Sequence, residues 1–470
     1  MNAFSLPARD TLDGPDFRLH AFYGTHKGRI VRPEHADYDE SRALALGNWN
    51  RKPSLIARVA DVEDVAVALE FARSCGLEVA VRSGGHSVSG HGSSEGGLVI
   101  DLRELNTLEI AEDKQSAWAG AGLTAGEVTA ALEPHQLVVG FGDAATVGIG
   151  GLTLGGGIGY LVRKHGLTID SLLAVEIVTA NGNILIADEA NHPDLFWALR
   201  GGGGNFGVVT RFRFRLHPLP EFTGGPLVLP ATPEVFAGFI AAAEAAPEEL
   251  STIAMAMPAP PMPFLPPHIV GQKVILAMMA FAGPSSDAQK AMAPFRALAE
   301  PIADLVGPAP YRSMYIPEDP NMKPAVSVRT RFMERIGAED AARMLDLLDQ
   351  NDAPMRMVQV RVLGGAAARV PVDATAFAHR KSRIMAAFLA MGAAHALDGN
   401  EEWVERCLRA TDQGSLGAYV NFLAGDGVRR MKDAYPEATW NRLRQVKRRY
   451  DPTNLFRLNQ NVPPAVAADA

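Results

Sequence analysis

The chain has 470 residues, 47% of them hydrophobic and 21% charged. That balance belongs to a globular protein with a sizeable core and excludes a disordered or fibrous chain. Forty-five Lys and Arg stand against 53 Asp and Glu, a formal net charge of −8, so the basic surface that general nucleic-acid binding needs is missing. Two cysteines, Cys75 and Cys407, exclude a disulfide scaffold and a cysteine-ligated zinc site; no metal is expected.

The first 23 residues carry Arg9, Asp10, Asp13, Asp16 and Arg18 without a long apolar run, unlike a secretory signal. Residues 144–162 and 253–272 are uncharged, but seven glycines in the first and six prolines in the second would strand backbone groups in lipid. The expectation is a soluble, cytoplasmic protein with no membrane or nucleic-acid partner.

In chain order, Asp61 reads as a helix N-cap, followed by Val62, Val65, Ala66, Leu69 and Ala72 at helical spacing and ended by Gly76. A strand over 77–81 runs straight into Arg82, Ser83, Gly84, Gly85 and His86, and a second strand covers 97–102. Further on come a strand over 174–180 entering the turn Asn181-Gly182, a short helix over 194–199, glycines at 201–204 and a strand over 208–216. From about 218 to 415 the chain is richer in Ala, Met and Pro. There Met357, Gln359 and Arg361 alternate with Val358, Val360 and Val362, which predicts a strand with one polar face. After that come Tyr419, Val420, Asn421 and Phe422, a basic helix to Arg449, and Asn459-Gln460-Asn461. The basic residues Arg442, Arg444, Lys447, Arg448 and Arg449 read as a solvated helix face.

Three glycine clusters could cradle phosphate. The dinucleotide spacing at Gly202, Gly204 and Gly207 follows a helix and precedes a strand, the reverse of a Rossmann turn. The cluster at 82–92 could aim successive N–H groups at an anion, or be a tight turn with an incidental histidine. The run 146–159 holds seven glycines in fourteen residues. Ordering that many glycines costs entropy, which implies a bulky partner against the backbone. The interleaved Val147, Ile149, Leu152, Leu154 and Ile158 exclude a plain linker.

With Trp49, Asn50 and Pro53, Gly166-Leu167, residues 201–210 and Ala376 to Arg380, these clusters resemble a p-cresol-methylhydroxylase-type FAD-binding domain. The branch is the one similar to berberine bridge enzyme, within the vanillyl-alcohol-oxidase superfamily, and the resemblance runs over nearly the whole chain. It implies an α+β fold: an FAD-binding domain (1–217) completed by the C-terminal segment (416–470), around a substrate domain (218–415) with an antiparallel sheet and helices. It further implies that Val81, Arg82, Ser83, Gly84, Gly85, His86 and Ser87 wrap the FAD pyrophosphate, with His86 bonded to the flavin 8α carbon. Gly142, Asp143, Thr146, Val147, Gly148, Gly150, Gly151, Gly156 and Gly159 would also contact FAD, with Val208 and Val209 beside the adenine and Asn459 and Asn461 near the isoalloxazine ring.

Two departures stand out. Relatives often carry a cysteine for a second flavin bond where this chain has Ala144, and Cys75 and Cys407 lie in other predicted helices; a single histidyl link is expected. Relatives also read Tyr-x-Asn-Tyr where this chain has Tyr419-Val420-Asn421-Phe422, and Phe422 has no proton to exchange. Either another group deprotonates the substrate, or the substrate, such as a neutral amine, needs no strong base. Gln359 and Arg361 would line the cavity, with Arg361 fixing an anionic group or forming only a salt bridge. His379 could take a proton or act as support, and Tyr311 and Tyr315 lie in a loop. Tyr419 either orients the cavity or simply packs. Residues 258–267, with Met255, Met257 and Met262, either rim an apolar mouth or form a stiff loop. Val147 goes with reactivity toward dioxygen in relatives. The implied reaction is hydride transfer from a C–H bond of an alcohol, sugar, amine or phenolic compound to FAD, with dioxygen as acceptor. The alternatives are a dehydrogenase using another acceptor and a flavin-binding protein without turnover.

Overall fold

The computed structural model describes residues 15–317, 319, 322–414, 417–424 and 428–466. Arg9, Asp10, Asp13 and the boundary expected at 415–416 lie outside them. Helix Val62–Cys75 forms as its caps dictate. The Asp61 side chain accepts from the Asp64 N–H, Glu63 and Asp64 sit in the first turn, and Gly76 closes the end at φ +64°. This helix is the crossover of a parallel unit: Leu55–Arg58 and Val79–Arg82 both pair in parallel with Leu98–Asp101. With Arg29–Val31 at the edge they make a four-stranded sheet.

A second, antiparallel sheet has the order Leu108–Ile110, Ser116–Gly120, Val208–Arg215, Leu172–Val178 and Ile184–Asp188. The cores of both sheets are continuous with Val420, Leu423, Tyr435, Leu443, Val446, Phe456 and Val462, so the C-terminal segment completes the first part of the chain.

Between them lies an eight-stranded antiparallel sheet. Its path is Ala303–Asp304, Thr223–Pro230, Lys273–Phe281, Leu250–Pro258, Met355–Val362, Ile384–Gly392 and Ala325–Met333, with Gly307–Pro308 also pairing to Thr223–Pro230. Helices Pro233–Ala245, Ser285–Arg296, Ala338–Leu348 and Leu397–Ala410 cover one face, where Val358, Val360 and Val362 pack with Phe388, Trp403 and Cys407. The opposite face packs Met257, Met278, Val328, Met357 and Leu389 against Val88, Tyr160 and Leu161 of the FAD-side chain. The alternation of Met357–Val362 is therefore as the sequence predicts. The polar face is not: it is mostly apolar, and Gln359 and Arg361 are buried exceptions, 7% and 3% exposed.

A short helix, Ile149–Leu154, forms inside the glycine run, which the sequence did not signal. Lys447 lies at 0% exposure, so the basic helix is not a uniformly solvated face. No helix among the described residues is long and apolar enough to cross a membrane, and no group of three or more of their His, Cys, Asp and Glu side chains could hold a metal ion.

Candidate active site

Strand Val79–Arg82 delivers its last residue into a buried ion pair. The Arg82 guanidinium donates to Asp101 Oδ2 at 2.7 Å and to the Ser41 carbonyl at 2.6 Å. Burial lowers its pKa while Asp101 opposes the shift. Val81, half-buried, packs on the first core. The loop that follows meets the second glycine run backbone to backbone. A Cβ on Gly84 would stand 2.3 Å from the Gly148 nitrogen, and one on Gly148 would stand 2.2 Å from the Gly84 nitrogen. Ser83 Oγ donates to the Ala121 carbonyl at 2.6 Å and accepts from the Gly150 N–H at 3.3 Å, so its hydroxyl ties the loops to each other. Ser87 Oγ accepts from the His91 N–H at 3.4 Å. At the same junction His86 Nε2 and Thr146 Oγ1 are 2.9 Å apart. Among the described residues, no backbone carbonyl accepts from the N–H groups of Ser83, Gly84, Gly85 or Ser87. A loop of such N–H groups is an anion cradle.

The second run divides in two. Gly156 and Gly159 are needed by the chain's own packing. A Cβ on Gly159 would lie 1.6 Å from the Phe141 carbonyl oxygen, and Gly156, at φ +128°, has the Phe377 ring 3.2 Å away. The bulky partner on the Cβ side of these two is the protein itself. Gly142 likewise has Leu152 Cδ1 at 3.0 Å from its Cβ position. Gly151 is the opposite case, exposed and with nothing within 4 Å. Gly148, Gly150 and Gly151 remain at the junction with Val147, whose carbonyl accepts from the Ala125 N–H at 2.9 Å.

The Arg361 side chain crosses from the eight-stranded sheet to this run. It donates to Asp143 Oδ2 at 2.7 Å, to the Ile158 carbonyl at 2.6 Å and to Gln359 Oε1 at 2.8 and 3.1 Å. The pairing with Asp143 is buried on the arginine side, unlike a surface salt bridge. Gln359 is thereby held as an acceptor for Arg361. The Phe422 ring lies 5.8 Å from the guanidinium carbon, a cation–π distance.

Tyr419 packs at 5.6 Å on Phe422. Its hydroxyl accepts from the Gly157 N–H and from Asn421 Nδ2, both at 2.9 Å. Burial pushes the phenol above its ordinary pKa, and the bond from Gly157 ties Tyr419 to the glycine run. His379 stacks on Phe332 at 4.7 Å and its Nε2 meets the Ala434 carbonyl at 3.0 Å, the contacts of a support. The neighbouring Arg380 grips Asp170 through two bonds of 2.7 and 2.8 Å, and this joins the Ala376-to-Arg380 and Gly166-Leu167 motifs. Tyr311 and Tyr315 are buried, not on an open loop; burial raises both phenols, Tyr315 to about 12. Cys407 packs on the helix-covered face of the sheet, away from Arg361, and Cys75 ends helix Val62–Cys75.

The C-terminal segment supplies Asn459 and Asn461. The Asn459 amide donates to the Gly204 and Phe456 carbonyls, both at 3.0 Å, yet the Oδ1 atoms of both asparagines are buried with no partner. Unpartnered buried acceptors call for an external donor. Val208 and Val209 pair with Val178 and Ile177 on one side, while on the other the ladder to Ser116–Gly120 starts only at Arg211. Their side chains are in the core, so the open backbone edge is what they offer a ligand. The residues thus fit FAD: an N–H cradle for pyrophosphate, an open strand edge for adenine, and two orphaned acceptors for the flavin ring's N–H. Asn421, which the sequence placed within the Tyr419-to-Phe422 motif but gave no role, has its amide in the space a Gly155 Cβ would occupy, 2.0 Å away.

Residues 53–188 match the FAD binding domain family and residues 418–463 the family described as berberine and berberine like. The chain is 31% identical over 468 residues to the uncharacterized FAD-linked oxidoreductase YgaK of Bacillus subtilis, covering 93% of this chain and 97% of that one. It is 28% identical to the (R)-6-hydroxynicotine oxidase of Paenarthrobacter nicotinovorans, covering 93% and 97%. The crystal structure of 6-hydroxy-D-nicotine oxidase from Arthrobacter nicotinovorans superposes with a TM-score of 0.82 at 26% identity, over 94% of this chain and 98% of the other. The anion cradle, the completing C-terminal segment and these likenesses agree: the chain belongs to the berberine bridge enzyme-like FAD-linked oxidoreductases of the vanillyl-alcohol oxidase superfamily.

Proposed function

We propose that the protein is an oxidase that carries FAD on His86 alone and takes hydride from a small, largely apolar substrate that needs no strong base. The observation that carries the attachment is the place of His86, half-buried beside Thr146 where the two glycine loops meet, in a chain with Ala144 at the position of the second link. When bound, FAD supplies the hydride acceptor and hands the electrons to dioxygen. The chain's residues do the rest. The N–H groups of 83–87 bind the pyrophosphate, and Arg361 and Gln359 orient a hydroxyl or anionic group of the substrate. The methionine-rich sheet face excludes water, and Val147 leaves room for dioxygen.

The substrate class follows from what surrounds Phe422. Its polar neighbour is an arginine already committed to Asp143, and the Tyr419 phenol packed on it is held above its ordinary pKa by burial. An amine or a hydroxylated aromatic amine, able to lose hydride without prior removal of a hydroxyl proton, suits that site better than an alcohol or sugar. The likeness to (R)-6-hydroxynicotine oxidase points the same way.

Acid precipitation of the purified yellow protein tests the attachment. The flavin is expected in the pellet, with a mass increment of one FAD, and His86→Ala is expected to release it. Flavin in the wild-type supernatant would reject the covalent link. In an aerobic amine screen, peroxide should form in step with flavin reoxidation; reoxidation no faster than that of free flavin would make the enzyme a dehydrogenase.

A further inference from the structure

Lys447 departs from the other basic residues of helix Glu437–Tyr450. It and Asp451 are both at 0% side-chain exposure, 2.7 Å apart. An ammonium has three N–H donors, and all three are engaged: Asp451 Oδ2 at 2.7 Å, the Asn205 carbonyl at 2.7 Å and the Phe456 carbonyl at 2.9 Å. The Asp451 carboxylate accepts in turn from the backbone N–H groups of Leu455 and Phe456 at 2.8 and 2.9 Å. Asn205, itself at 0% exposure, continues the lacing: its Oδ1 accepts from the Val462 N–H at 2.9 Å and its Nδ2 donates to the Gln460 carbonyl at 3.1 Å. Asn459 and Asn461 therefore lie in a segment bound at Phe456, Gln460 and Val462 to one buried centre.

A buried ion pair can often be exchanged for apolar side chains of similar volume with no loss of stability. Apolar side chains cannot hold two carbonyls and two N–H groups of separate segments in one register. We propose that Lys447 is a positioning residue. Paired with Asp451, it locks segment 451–462 onto the loop at Asn205, so that the orphaned amide oxygens of Asn459 and Asn461 are held in place for the flavin ring. The proposal rests on the flavin reading of those two asparagines.

Lys447→Met alone would strand a buried carboxylate, so the test is the double variant K447M/D451N, examined as holoenzyme. It is expected to remain folded, with Tm within about 5 °C of wild type. Its visible flavin spectrum should shift, its covalently bound flavin should fall at least about twofold, and kcat should drop about tenfold or more with KM little changed. N461A should reproduce the spectral shift at unchanged Tm, and N459A, which also gives up its bonds to the Gly204 and Phe456 carbonyls, should reproduce it with a lower Tm. If they do and the double variant keeps the wild-type spectrum and flavin content, the ion pair is merely structural and the proposal fails while the flavin reading stands. If neither asparagine variant moves the spectrum, the flavin reading of those residues falls, and the proposal with it. Should the double variant not fold, N205A, which leaves the ion pair intact, must give the same shift; an unchanged spectrum overturns the proposal.

Discussion

At the junction of the glycine loops the tight contacts are backbone on backbone, Gly84 against Gly148 and Gly159 against the Phe141 carbonyl. Across the eight-stranded sheet they are side chain on side chain, with Met278, Met357, Val328 and Leu389 filling the face turned to the FAD-side chain. The first region is specified by the absence of Cβ atoms and the second by apolar volume. The packed glycines of the first therefore have no tolerance for an added atom, while the second can exchange side chains of similar size. That contrast suits the tasks proposed for them. A cradle of N–H groups requires the backbone itself to be exposed to the ligand, whereas a substrate wall needs only the right shape and polarity.

The largest effect expected is from Gly159→Ala, whose Cβ would sit 1.6 Å from a backbone oxygen. With no flexible side chain to move aside, the loss should exceed about 4 kcal/mol or leave no soluble protein. Gly151→Ala, in the same run but with open space around it, should raise thermal stability by up to about 1 kcal/mol through helix propensity while lowering flavin occupancy. Equal effects of the two changes, read by Tm and the 450 nm absorbance of bound flavin (roughly its ordinary visible band), would erase the distinction between packing and ligand-facing glycines.

Arg361→Met probes the one side chain that spans both regions. It frees Asp143, Gln359 and the Ile158 carbonyl together, and breaking a buried pair costs about 3 kcal/mol. A fall of about 100-fold in kcat/KM, larger than stability alone explains, is expected from steady-state kinetics. An unchanged kcat/KM would confine Arg361 to holding the seam. The smallest effect should come from Met357→Leu on the apolar face. A volume-conserving exchange there costs less than about 1.5 kcal/mol, a small Tm shift in a thermal melt. A large shift would show that the sheet face is as unforgiving as the junction.

Helix Val62–Cys75 was legible because its cap, apolar spacing and terminal glycine all lie within one short stretch, from Asp61 to Gly76. The strand Met355–Val362 was legible for the same reason: an alternation of period two is local. The nature of its inner face was not, because whether Gln359 and Arg361 meet water or Asp143 depends on a segment some two hundred residues away. The glycine run shows the same limit. Its abundance of glycine announced close approach, but Phe141, Thr168, Asn421 and Gly84 are the approaching groups for much of it, and only Gly151 faces open space. His379 could by residue type take a proton or act as support, and its stacking on Phe332 and contact with the Ala434 carbonyl are those of a support.

The sequence by itself determined the order of motifs and with it the resemblance to the family, which leads one to expect a tyrosine where Phe422 stands, a cysteine where Ala144 stands and the flavin attachment at His86. Tertiary structure decided which polar groups are buried and what they hold. Lys447 reads as one of five basic residues on a helix face, and becomes the anchor of the C-terminal segment only because Asn205, Asp451 and Phe456 close around it. The reason is physical. Backbone conformation and side-chain chemistry are local properties, while desolvation and hydrogen-bond partnership belong to whatever distant segments the fold brings into contact.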